Sequence, residues 1–350
     1  MRIFSPLTAK AILAASIVAM AGCATPEDSE AVSVDTEDSF SFIVIGDTPY
    51  NKADEEMLVE ALPVIKAGNY PFVIHVGDYK GGRSPCTADH DERHQALIET
   101  LKPTPLFYTP GDNEWTDCDR NEDTATGERY SDLARLARVR ELFFSEVVDA
   151  PAAFSYDFQA QQRENATWIY DEVRFATLHV VGTNNGRDWV TGDPADTVLA
   201  AVAERDAANM DWLRHVASLA QQEEAKAIVF AMQADMTELR NKPDDVMCET
   251  VAESDKHPCD GFTKMRAMIR DIAANADRPV LVIHGDTAPF TIGQSFAGEE
   301  DPNLWRLNAA GDTGPTYGVR DVTVVTVSVD NAGMPFSAQG LLSGKKPKQK

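Results

Sequence analysis

Four short apolar runs in this chain end in the same two residues. Phe42–Asp47 reads F-I-V-I-G-D, Phe72–Asp78 reads F-V-I-H-V-G-D, Phe107–Asp112 reads F-Y-T-P-G-D and Val280–Asp286 reads V-L-V-I-H-G-D. Runs of this length and composition are strands buried on both faces of a layered α/β sheet. A Gly-Asp ending turns such a strand out of the sheet and presents a polar side chain at its carboxyl end, where open α/β folds place their sites. One such ending is explained by a turn or a helix cap. Four of them predict that Asp47, Asp78, Asp112 and Asp286 meet at one sheet edge.

Between and after these runs, apolar residues recur at helical spacing over 54–67, 92–101, 132–144, 196–221 and 261–274, with Pro63 bending or dividing the first helix. Further strands are expected over 226–232, 304–307 and 321–329. Residues 153–158, 167–170 and 173–180 are strand-like with no helix between them, which implies an antiparallel patch or a second sheet. Arg135, Arg138 and Arg140 on the third helix read as a solvated face rather than a phosphate-binding row. No internal repeat and no linker is evident after residue 40.

The 350 residues suit one large domain or two small ones, and the net charge of −24 with no basic patch argues against nucleic acid as a partner. Residues 1–22 read as a signal peptide: Arg2 and Lys10, an apolar stretch over Ala11–Ala21, then Met20-Ala21-Gly22-Cys23. Small residues ending at a cysteine resemble the bacterial lipoprotein cleavage site. This implies lipid attachment at Cys23 and an extracytoplasmic, membrane-anchored place in a bacterial cell envelope. Met20 is unusual at the first position of that motif, and an ordinary signal peptide is the alternative. Residues 23–40 are an acidic tether. Residues 41–330 are the folded domain and 331–350 a tail, with Lys345–Lys350 disordered. The remaining cysteines, Cys86, Cys118, Cys248 and Cys259, are even in number, as expected of an exported chain. Pairing Cys86 with Cys118 and Cys248 with Cys259 would close two loops beside the aspartates. A four-cysteine zinc site is the alternative, but it lacks any Cys-x-x-Cys spacing.

Four carboxylates converging in a low-dielectric cleft repel one another unless a cation lies between them. Carboxylate and amide oxygens are hard ligands and favour Mg²⁺, Mn²⁺ or Ca²⁺ over Zn²⁺ or Fe. Gly46-Asp47-Thr48-Pro49, Gly77-Asp78-Tyr79-Lys80, Gly111-Asp112-Asn113-Glu114, a strand reaching Gln233, and Gly285-Asp286-Thr287-Ala288 occur in that order. In order and spacing the chain resembles the calcineurin-like metallophosphoesterases, which include the purple acid phosphatases. The resemblance spans residues 41 to 330. It implies a layered sandwich of two mixed β-sheets flanked by helices, and hydrolysis of a phosphate ester by a hydroxide bound to a divalent cation.

Carried over by position, Asp78 would bridge two cations. Asp112, Gln233 and Asp286, standing where the family has asparagine and two histidines, would complete one oxygen-ligated site. The other would keep Asp47, but Pro49, Gly81 and Ala288 stand where its remaining ligands belong, so one strong site and one weak or empty site are expected. Asn113 replaces the histidine that assists the leaving group. An amide donates a hydrogen bond but gives up no proton near neutral pH.

His284 precedes the last Gly-Asp and is a candidate to reach the site. His75 reads as a core histidine. Lys80 is a candidate phosphate contact or a surface lysine, and Asn184 with Asn185 either lines the cleft or makes a turn. The expected substrate is a phosphorylated small molecule or lipid. The alternative is a catalytically weak or inactive relative that binds a metal or a phosphorylated ligand. If Cys23 is lipidated, labelled palmitate will be incorporated by the wild-type chain and not by Cys23→Ser; equal labelling of both overturns the anchor.

Overall fold

The computed structural model describes residues 39–237, 248, 259–312, 318–331 and 333–350. The signal peptide, Cys23 and the tether up to residue 38 lie outside the described residues. In chain order the strands are β1 (Phe40–Ile45), β2 (Val73–His75), β3 (Leu106–Tyr108), β4 (Asp157–Gln159), β5 (Gln162–Tyr170), β6 (Val173–Thr177), β7 (Ala227–Ala231) and β8 (Val280–His284). They continue with β9 (Thr291–Gly293), β10 (Ser295–Phe296), β11 (Glu299–Glu300), β12 (Leu304–Asn308), β13 (Thr323–Val327), β14 (Phe336–Gly340) and β15 (Lys348–Gln349). The principal helices are α1 (Lys52–Ala67), α2 (Ala88–Glu99), α3 (Asp132–Phe143), α4 (Ala195–Gln222) and α5 (Thr263–Asn275).

The strands build two mixed sheets. The first has the order β14-β13-β1-β2-β3, parallel across β1, β2 and β3 and antiparallel at β13 and β14. The second runs β15-β9-β12-β8-β7-β6-β5-β4 and is parallel from β6 through β12. The antiparallel patch expected over residues 153–180 is its β4-β5-β6 end. Alternation along each strand decides the layers, because successive side chains point to opposite faces. Phe42 and Val44 of β1 join Phe72, Phe107, Trp168, Phe175 and Leu281 in the core between the sheets. Ile43 and Ile45 face the other way, against Leu58, Leu62 and Ile65 of α1. Helices α4 and α5 cover the outer face of the second sheet through Leu213, Val216 and Ile269. The class is α/β, two mixed sheets flanked by helices.

Three sequence expectations change. Helix α1 runs unbroken through Pro63, which sits on the exposed side. The arginine row of α3 is not a solvated face. Arg135 is buried and pairs with both oxygens of Asp91, Arg140 lies 2.6 Å from the buried Glu164, and only Arg138, on Glu141, is a surface pair. The C-terminal residues are not a tail: β14 lies at the edge of the first sheet and β15 pairs with β9. The side chains of Lys348 and Gln349 are exposed, so their composition reads as solvent, while the backbone does the pairing. Gly293 makes room for it, since a Cβ there would lie 1.7 Å from the Lys350 carbonyl oxygen.

Phe72 is the centre of the aromatic core, 5.1 Å from Phe42, 5.0 Å from Phe175 and 5.4 Å from Trp168 between ring centroids. Phe72→Ala is expected to lower the unfolding free energy by about 3–5 kcal/mol, read from urea denaturation, whereas Val59→Ala on the exposed side of α1 is expected to change it by less than about 0.5 kcal/mol.

Candidate active site

Asp47, Asp78 and Asp112 follow β1, β2 and β3 of the first sheet, and Asp286 follows β8 of the second. The four turns therefore meet where the carboxyl ends of the two sheets adjoin. Asp47, Asp78 and Asp286 have left-handed backbones, with φ of 51°, 61° and 67°. Asp tolerates this region better than most residues, at a cost of order 1–2 kcal/mol each. The reversal turns each carboxylate back over its own strand end. Room comes from glycine: a Cβ on Gly182, which follows β6, would lie 2.5 Å from Asp112 Oδ2 and 2.7 Å from Asp286 Oδ1.

Asp47, Asp78 and Asp112 are at most 5 % exposed, and among the described residues no Lys, Arg or His forms an ion pair with any of them. Neutral donors hold them instead. The Tyr50 hydroxyl is 2.9 Å from Asp47 Oδ1 and 2.8 Å from Asp78 Oδ2. Asn113 Nδ2 donates to Asp78 Oδ2 at 2.8 Å, and Gln233 Nε2 donates to Asp78 Oδ2 and Asp112 Oδ1 at 3.2 and 3.1 Å. The Asp286 backbone N–H donates to Asp47 Oδ1 at 2.9 Å, which ties the two sheets together. Thr183 places one hydroxyl 2.6 Å from Asp112 Oδ2 and 2.7 Å from Asp117 Oδ1. A hydroxyl has one proton to give. Tyr50 and Thr183 each lie between two carboxylates, so the cluster is short of protons or of positive charge.

The titration behaviour of the cluster follows from the same shortage. Burial pushes Asp47 up to about 8, with the Tyr50 hydroxyl opposing and Asp312 and Asp112 adding to it. Burial and then the charges of Asp112, Asp47 and Glu114 hold Asp78 well above the carboxylate range. Asp117 is likewise raised to about 8 by burial and Asp112, against the pull of Arg120.

The donor set is one a hard cation would fit: carboxylate oxygens, buried, with unbalanced charge. The arrangement around it is not a ready-made cage. Among the described residues no three His, Cys, Asp or Glu side chains are grouped as ligands to one ion. Gln233 shows why. Its oxygen accepts the Gly182 N–H at 2.6 Å, so its amino group must face the aspartates; the opposite orientation would set two donors against each other. Gln233 is thus brought into the cluster as a donor, not with its oxygen presented as expected.

The remaining candidates divide. Asn113 is in the cluster. Lys80 is 2 % exposed rather than on the surface, and its Nζ donates to the carbonyls of Ser84 at 2.9 Å and Gly81 at 3.3 Å. His284 is set apart from the four aspartates. Its Nδ1–H donates to Gly285 O, and its Nε2 lies 3.8 Å from Asp235, which pairs with Arg306. Burial pushes His284 down to about 4. Asn184 does not face the aspartates: its side chain bonds Asp188 and the backbone of Cys259 and Gly261. It belongs to a left-handed turn, Thr183, Asn184 and Asn185 having φ of 51°, 56° and 58°, and that turn aims Thr183 at Asp112. His75 is a core histidine, its Nδ1 accepting the Gly77 N–H. Cys86 bonds Cys118 and Cys248 bonds Cys259, with Cα separations of 5.6 and 5.0 Å.

Tyr50, Thr183, Asp117 and the role of Glu114 were not legible in the sequence. Glu114 is fully buried and braces the Gly-Asp turns, accepting from Tyr108 Oη at 2.6 Å, Gly111 N at 2.7 Å and Asp78 N at 3.0 Å. Its position two residues after Asp112 was the available signal.

No known family profile matches the sequence, and no curated protein does. Among solved structures, the fold is similar to a dimetal phosphatase from Danio rerio (11 % identity, TM-score 0.47, covering 87 % of this chain and 96 % of that one). It is also similar to GAP50, the anchor in the inner membrane complex of Plasmodium (12 % identity, TM-score 0.43, 89 % of each chain). At these scores neither similarity bears on function; the side chains must carry it.

A carboxyl whose native pKa lies above its unfolded value binds its proton more tightly when folded. It contributes stability below about pH 4 that is lost as pH rises through the native value. For Asp47 and Asp117 near 8, and for Asp132, raised by burial to about 9, that loss accumulates from about pH 4 upward and is complete by about pH 9. In chelator-treated protein, Tm is expected to fall by more than about 5 °C from pH 6 to pH 9, given ~2–4 °C per kcal/mol for domains of 150–250 residues. A flat profile would show that the carboxyls are ionised throughout.

Proposed function

We propose that this chain is a metallophosphoesterase-like protein in which one hard divalent cation, held by Asp78, Asp112 and Asp286, serves the hydrolysis of a phosphate ester. The observation that carries the reading is the cluster of buried carboxylates at the carboxyl ends of two sheets with, among the described residues, no Lys, Arg or His ion pair on Asp47, Asp78 or Asp112. A cation there would neutralise phosphoryl oxygens and lower the pKa of a bound water. The position between Asp47 and Asp78, where the resemblance implies a second ion, is spanned by the Tyr50 hydroxyl, which favours a single site.

The protein's own groups would do the rest. Asn113 Nδ2, already within 3.1 Å of the Tyr50 oxygen, is placed to donate to a substrate oxygen. Lys80 keeps one N–H beyond the two used on its own loop and supplies positive charge. The Asn113 amide gives up no proton near neutral pH, so a leaving group beside it departs without that assistance, and activated esters are the favoured substrates. Losing a general acid typically costs ~10²–10⁴ in rate. Anchoring in a bacterial envelope through Cys23 belongs to the same proposal and rests on the N-terminal sequence.

A second reading has its own support. The amides of Gln233 and Asn113 spend their N–H groups on the carboxylates, which suits a protein that binds a cation or a phosphorylated ligand without turnover. The two separate on one experiment: thermal melting and 4-nitrophenyl phosphate turnover with Mg²⁺, Mn²⁺ or Ca²⁺. Hydrolysis is expected, falling at least ~100-fold in Asp78→Asn. Cation-dependent stabilisation without turnover would favour the binding reading, and neither effect would overturn both.

A further inference from the structure

Beside the aspartates, on the far side of Tyr50, lies a pocket of about 430 Å³ whose wall runs against the charge of the whole molecule. The chain carries a net charge of −24, yet Lys52, Lys80, His90 and Arg93 line this pocket and Glu55 is the acid among them. Lys80 is buried with one N–H to spare. Arg93 is anchored by Nε on the Asp89 carbonyl at 3.1 Å, and among the described residues no carboxylate pairs with its guanidinium. Lys52 meets Glu56 at 3.5 Å, both highly exposed, a contact that holds neither side chain firmly. Burial pushes His90 below its ordinary range, with the charges of Arg93 and Lys80 adding to it and Asp91 and Asp89 opposing.

His94 supplies an independent observation. It lines the same pocket, is 2 % exposed, and neither ring nitrogen has a hydrogen-bond partner. Its ring is fixed by stacking on Tyr79 at 4.5 Å and by the edge of His75 at 4.8 Å. A buried imidazole always carries at least one N–H, and leaving it unsatisfied is unfavourable unless something else accepts it.

We propose that this pocket is an anion subsite that takes a phosphate-type group of the substrate remote from the bond being broken, as in a bisphosphate. Tyr50 joins the two regions: its hydroxyl reaches Asp47 and Asp78, while its ring forms part of the pocket wall. A ligand carrying two phosphate groups on separate positions would meet the aspartate cluster with one and the basic wall with the other. The pocket's volume suits a small headgroup-sized moiety. Naming the occupant as substrate rests on the phosphoesterase reading above, whereas anion binding in the pocket does not.

The test is calorimetric titration of the full chain with inorganic pyrophosphate, with chelator and again with Mg²⁺. Wild type is expected to bind, with affinity at least tenfold weaker in Arg93→Ala, weaker again in Lys52→Ala/Arg93→Ala, and reduced in His94→Phe. Both Arg93 and Lys52 are exposed, so their variants are expected to melt as wild type does. Absence of binding by wild type, or affinity within twofold of wild type in Arg93→Ala, would overturn the subsite. Vesicles containing phosphatidic acid form a parallel arm: Arg93-dependent binding to them without binding of pyrophosphate would overturn a soluble bisphosphate. Pyrophosphate binding that depends on Arg93, in a protein that turns over no aryl phosphate, would sink the hydrolase reading and leave the subsite standing.

Discussion

The structure depends on keeping several carboxylates together out of water. Charges of one sign in a poorly polarisable cleft repel strongly, and the cluster is held by neutral donors that meet most of its oxygens. Tyr50, Asn113, Gln233, Thr183 and the Asp286 backbone N–H provide the donors, and each comes from a different segment. The loops of both sheets are thereby committed to a single arrangement. Glu114 does the same one step further back, accepting N–H groups from two of the Gly-Asp turns at once.

The cleft is also where the backbone is least relaxed. Left-handed residues gather at three of the Gly-Asp turns and in the Thr183–Asn185 turn. Such conformations persist where surrounding contacts over-determine them, and they are commonest at functional sites. Here the restraints are visible: Asn184 is bonded into the Cys259–Gly261 backbone, and Asn185 is held by Asp206 and Arg205. Left-handed backbones accompany the inward-facing side chains of Thr183, Asp47, Asp78 and Asp286.

The strands of the site were legible because burial on both faces leaves a strong apolar signature, and because Gly-Asp marks where each one stops. The layered class and the meeting of the four aspartates followed from that periodicity. What stayed hidden was set by tertiary contact. Tyr50 lies in a turn, and nothing in its neighbours announces that its hydroxyl spans Asp47 and Asp78. Gln233 was legible as a position but not as an orientation, because the Gly182 N–H that fixes its amide is 51 residues away in sequence. Arg135 looked like surface because its partner Asp91 lies on another helix. Lys348 and Gln349 looked like tail because backbone pairing leaves no mark on side-chain chemistry.

The disulfide between Cys86 and Cys118 links residues 32 apart in sequence and encloses the Gly111–Glu114 turn in a covalent ring that opens just after the Lys80-to-Ser84 loop. In a chain-entropy picture, closing a loop of that length limits the unfolded ensemble by about 3–4 kcal/mol. The ring also fixes the neighbourhood of Asn113, whose carbonyl lies against both sulfurs. Shape and charge in the cleft are therefore linked to the oxidation state of the surroundings. A chain made where thiols stay reduced would carry all the same acids on a looser frame, and the spacing of the carboxylates would report the redox history of the protein as much as the residues themselves.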